Sequence, residues 1–99
     1  MNTIFLTRAK NLSAAHAFEL EQRKAKAEFG GDSRNGTIAT KATFQLITDE
    51  VMEVAAAIET AMKIMRGEAG YEHLNREDGP AGAIPVGRLE WLFFGRAPA

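Results

Sequence analysis

The chain has 99 residues, 45% of them apolar and 25% charged, with a net charge of −1 and no cysteine. That balance is an ordinary globular one, so wholesale disorder is excluded, and the length suits one small domain over 1–99. Without cysteine there are no disulfides, no thiolate metal sites and no cysteine nucleophile.

No run approaches the ~20 apolar residues that a bilayer span requires, and Ile4-Phe5-Leu6 is too short for a signal-peptide core. The expectation is a soluble cytoplasmic protein. A near-neutral net charge disfavours general nucleic-acid binding, yet the charge is uneven. Residues 1–41 carry seven basic and four acidic side chains, whereas 42–99 carry five and nine. Such polarity can orient a partner or pair protomers head to tail; solvated helix faces of opposite sign are the plainer explanation.

Residues 2–8 are β-branched and aromatic and read as a strand or extended arm. Residues 11–29 read as a helix that Asn11 or Ser13 can cap. Ala15, Phe18, Gln22, Ala25 and Phe29 recur at three- and four-residue steps, and Glu19 precedes Arg23 by four, the favourable ion-pair order. Gly30-Gly31 ends this helix, and Asn35-Gly36 marks a reversal.

From Thr37 to Ile47 the pattern alternates, which predicts a strand near 38–46. Phe44, Ile47, Val51, Val54, Ile58, Ala61 and Met65 also keep a helical step, so one long helix over 37–66 is the alternative. Thr48 as an N-cap, with Asp49 and Glu50 after it, favours a break and a helix over 49–66. Val51, Val54, Ile58, Met62 and Met65 form its apolar stripe, and alanines keep much of the remaining surface thin. Ile58, Met62 and Met65 are therefore the candidate face for a second copy or another protein.

Residues 67–79 read as a polar loop. The segment after it, Arg76-Glu77-Asp78-Gly79-Pro80-Ala81 followed by Gly87, Glu90, Trp91 and Gly95, resembles one unit of a MORN-like repeat common in phage and bacterial proteins. The resemblance spans residues 76–95, about a fifth of the chain, and His73 departs from the usual adjacency to the arginine. It implies a β-hairpin with strands near 80–84 and 88–94, and a phage or mobile-element origin in a bacterial host. It carries no catalytic residues. The alternation of Leu89, Trp91 and Phe93 with Arg88 and Glu90 agrees with a strand, and a short helix over 87–94 is the alternative. Trp91 is expected to pack near the helix at 49–66. The fold class is then α+β: two helices, about 11–29 and 49–66, on a small antiparallel sheet that includes the hairpin.

Chemistry-bearing constellations are sparse. His16 lies three residues before Glu19, and His73 is near Glu72, Glu77 and Asp78; both histidines read more simply as solvated or locally hydrogen-bonded. No glycine-rich phosphate loop or nucleophile elbow occurs. The basic run Arg23, Lys24, Lys26 lacks interleaved aromatics. Arg34 and Lys41, beside Asn35-Gly36, are the candidate ligands for a phosphate or nucleotide held between protomers. No catalytic, metal or cofactor site is expected. The leading expectation is a non-enzymatic protein-interaction module of the kind that inhibits a host enzyme or defence complex. A nucleotide- or anion-sequestering homo-oligomer and a virion or assembly component are the alternatives.

Overall fold

In the computed structural model, which describes residues 2–29 and 37–98, the N-terminal run is strand β1, Asn2–Lys10. Helix α1, Ala14–Phe29, follows at once. Ser13 starts it: its hydroxyl accepts the His16 N–H at 3.2 Å and its carbonyl accepts the Ala17 N–H at 3.0 Å. Arg23 pairs with Glu19 at 2.5 Å as their spacing implies. The buried face is Ala17, Phe18 and Ala25, with Gln22 half-buried, whereas Ala15 is exposed. Gly30-Gly31 and Asn35-Gly36 lie outside the described residues, as does the side chain of Phe29.

The stretch expected as one strand over 38–46 divides in two. Ile38–Thr40 is a 3-10 turn, and Phe44–Leu46 is a three-residue strand, β2. Thr37 caps the turn by accepting the Ala39 N–H, and Gln22 of α1 donates to the carbonyls of Ile38 and Lys41. A local cap by Thr37 and a long-range bond from Gln22 thus outcompete a ladder here.

Helix α2, Val54–Met65, starts five residues later than expected. Thr48 does not cap it; its hydroxyl accepts the Glu50 N–H in a local turn, and Glu53 occupies the cap position without a side-chain bond. The single helix over 37–66 is excluded. A 3-10 turn at Glu72–Asn75 leads into the hairpin, β3 at Ala81–Gly87 and β4 at Glu90–Pro98. Residues 90–94 are strand, so the alternative short helix over 87–94 is excluded too.

The sheet order is β1-β4-β3-β2. It is mixed, not antiparallel throughout: β1 and β3 flank β4 antiparallel, while β2 runs parallel to β3. The β2–α2–β3 crossover requires that direction, because a helix between two neighbouring strands returns the chain to the same end. Pro85 fits within β3 because β2 has already ended; its carbonyl instead accepts the Met52 N–H at 2.9 Å.

Each sheet face carries its own core. Phe5, Ala9, Ala83, Phe93 and Ala97 pack with Ala17, Phe18 and Ala25 of α1, and Trp91 joins them. Ile84, Val86, Leu92 and Phe94 pack with Ala57, Ala61, Ile64 and Met65 of α2. Trp91 therefore belongs to the α1 side and not, as expected, to the α2 side.

The α2 assignment rotates as well. Its alanine side enters the core, because the sheet beneath already supplies bulky Leu92 and Phe94. Ile58 is left 37% exposed and Met62 half-buried, while Met65 is buried in the core and unavailable to a partner. Ile58→Glu is accordingly expected to cost no more than about 1 kcal/mol, since it buries no unpaired charge. Ala61→Leu, at a fully buried site, should cost about 1–3 kcal/mol by overpacking. Thermal denaturation of the two variants checks this, and the reverse order would contradict the assignment.

Candidate functional site

Of the two candidate anion ligands, Arg34 lies outside the described residues. Lys41 is 2% exposed, and its ammonium donates to the carbonyls of Arg76, Glu77 and Gly79 at 3.0, 3.1 and 3.0 Å. Burial pulls its pKa below the ordinary lysine value, and nearby Asp78 and Glu77 oppose that shift. The three carbonyls take the three ammonium hydrogens, so the side chain ties the polar loop to the sheet.

Two glycines, Gly79 and Gly95, serve this tie. A Cβ on Gly79 would overlap the His73 carbonyl, and one on Gly95 would crowd the Lys41 stem at 3.1 Å and the Phe5 ring at 3.2 Å.

Three of the loop's ionisable side chains already have partners, His73 on β2 and Asp78 and Glu72 within the loop. His73 bonds Gln45 at 2.7 Å, Asp78 accepts from Arg76 at 3.0 and 3.1 Å, and Glu72 accepts the Gly70 N–H. The Arg76 guanidinium holds Asp78 below the usual carboxylate range, and backbone N–H groups do the same for Glu72. His16 is exposed on α1. Among the described residues, no group of three or more His, Asp or Glu converges on a point.

A different region gathers exposed functional groups: the end of the sheet where β1 meets the β3–β4 turn. Lys10, Asn11, Leu12, Arg88, Leu89 and Glu90 line an open cleft of about 540 Å³ there. Asn11 builds it. Its N–H donates to the Leu89 carbonyl at 2.9 Å, its carbonyl accepts the Trp91 indole N–H at 3.3 Å, and its side-chain oxygen accepts the Leu12 N–H at 2.7 Å. Those bonds hold Leu12 and the hairpin turn side by side.

Leu12 is 79% exposed and Leu89 46% exposed. Leu89 also sits at φ 62°, a left-handed backbone that costs a non-glycine residue about 1–2 kcal/mol. Around the two leucines the charge is basic. Glu90 is taken up by Arg8, whose Nε donates to it at 2.8 Å, whereas Lys10 and Arg88 form no ion pair among the described residues. Two exposed apolar side chains flanked by cations can seat an apolar group ringed by carboxylates; nothing in this cleft resembles a nucleophile–base pair.

No protein-family model, no curated protein and no solved structure matches the chain.

Sequence reasoning directed attention to Arg34/Lys41 and to α2, and passed over this tip. One signal was available. Leu12 stands between a strand and a helix cap, outside any apolar face; Leu89, read from its alternation as a strand residue, lies instead in the turn before β4, at a position that usually goes to glycine or asparagine.

Proposed function

We propose that this chain is a non-enzymatic protein-interaction module that docks through the tip formed by Leu12 and Leu89. Its partner presents an apolar group with carboxylates around it, complementary to Lys10 and Arg88. The observation that carries this reading is Leu89: an exposed leucine held in a backbone conformation that glycine would adopt without strain. Inhibition of a bacterial host enzyme or defence complex suits the phage-like hairpin, and it directs the search for a partner to bacterial extracts.

The test pairs stability with capture. Leu89→Gly should stabilise the protein by about 1 kcal/mol, raising Tm by about 5 °C, because it relieves the backbone strain. Leu12→Asp should leave stability within about 0.5 kcal/mol, since the side chain is already in water. Both variants should lose the partner that the unmodified protein retains from bacterial extract. Capture that survives both substitutions would remove the tip from the binding surface.

A further inference from the structure

Strand β1 is a nine-residue edge, paired on one side with β4 and, among the described residues, with nothing on the other. The opposite edge, β2, has three residues, too few to template a stable pairing. Long edges are normally guarded by a bulge, a proline or inward charges. β1 has no proline, and its register with β4 runs unbroken from Asn2↔Pro98 to Lys10↔Glu90. Its two cations lie at one end, and Arg8 is neutralised by Glu90. Among the described residues nothing guards the segment Thr3–Thr7.

The direction of its backbone groups follows from the register. Asn11 donates to Leu89, the pair that comes next after Lys10↔Glu90. In an antiparallel ladder the bonded pairs alternate, so Thr3, Phe5, Thr7 and Ala9 also face β4. Ile4, Leu6 and Arg8 must then present N–H and C=O to the open edge. Asn2↔Pro98 agrees, since a proline has no N–H to exchange.

We propose that two copies of this chain join by antiparallel pairing of their β1 edges, with Phe5 on the two-fold axis, into one continuous eight-stranded sheet. In that register Ile4 lies opposite Leu6 of the second copy, and Leu6 opposite its Ile4. Asn2 meets Arg8 and Thr3 meets Thr7, so the outward-facing residues Asn2, Ile4, Leu6 and Arg8 pair with one another, Thr3 and Thr7 occupy the non-bonded positions between them, and no like charges oppose each other. The pairing also covers Leu6, which is 43% exposed: on that face α2 packs mainly over β3 and β4, and of β1 it is Ile4 that joins the α2-side core. The tip lies at the end of β1, so the dimer displays two docking sites and is tested separately from them.

Light scattering on the full chain should give twice the 10.8 kDa protomer mass at tens of micromolar, and dissociation on dilution. Leu6→Lys, at an already exposed site, should give a folded monomer. Leu6→Pro should do the same, because the N–H it deletes points outward, away from the β4 ladder. Amide exchange supplies the residue-level readout. In the dimer, Ile4, Leu6 and Arg8 should exchange roughly tenfold or more slowly than in dilute solution, while Phe5 and Thr7 are protected at both concentrations. A wild-type monomer throughout that range would overturn the proposal. So would a dimer in which those three amides exchange freely, or protection that appears only when another protein is added.

Discussion

Lys41→Met is expected to destabilise the protein by about 3 kcal/mol, measured as a lowered urea midpoint at an unchanged slope. Methionine keeps the length and apolar character of the stem, so contacts beside Gly95 and Phe5 persist and the loss isolates the ammonium. Three carbonyls, those of Arg76, Glu77 and Gly79, then lack their donor, and the loop that leads into β3 loses its tie to the sheet. Lys41→Arg should not rescue it, because a planar guanidinium cannot point at three converging carbonyls as an ammonium does. A cost below about 1 kcal/mol would mean that water replaces the ammonium. The pH dependence has a definite sign. The folded-state pKa lies below the unfolded value, so across that window the unfolded chain binds more protons. Stability therefore rises as pH climbs from the folded pKa toward the ordinary lysine value, and Lys41→Met should lack that alkaline slope.

Phe93→Ala should be costlier still, at about 3–5 kcal/mol. The Phe93 ring is fully buried and packs edgewise on Phe18 at 5.6 Å and on Phe44 at 5.7 Å, which lie 5.2 Å from each other. One ring therefore joins α1, β2 and β4. Its removal opens a cavity and deletes two aromatic contacts at once, each worth about 0.5–1.5 kcal/mol beyond burial. Against a total stability of about 5–15 kcal/mol, the variant should unfold well below the wild-type Tm. Amide protection across β2 should fall first, because that three-residue strand has few other anchors. Phe93→Leu, which retains most of the volume, should recover more than half of the loss. Equal losses from both variants would show that the aromatic geometry, not the cavity, carries the energy.

Much of the architecture could be read from local patterns. β1, α1, α2 and the hairpin were legible because each has a periodicity that its own backbone imposes: two for the strands, three to four for the helices. Ser13 and the Glu19–Arg23 pair act within one turn of chain, so their roles were legible too. The broken segment 37–47 was not. Its alternation was real, but Gln22, fifteen or more residues away, holds residues 38–41 in a turn. Thr48 has the chemistry of a helix cap, yet the chain there is drawn against β3 by the Ile47–Ala83 and Met52–Pro85 bonds.

What the sequence by itself determined is therefore the set of elements and the α+β class, since both follow from short-range stereochemistry and hydrophobic period. Which way those elements face was decided only by the tertiary structure. In a sheet buried on both sides, Trp91 and Phe93 point to one helix and Leu92 and Phe94 to the other, and alternation alone cannot say which. α2 turns its alanines inward because the volume was already taken by the sheet, a fact held in residues twenty or more positions away. Lys41 looks like any solvated lysine until residues 76–79 arrive around it. The exposed tip and the open edge of β1 are likewise properties of what the rest of the chain leaves uncovered.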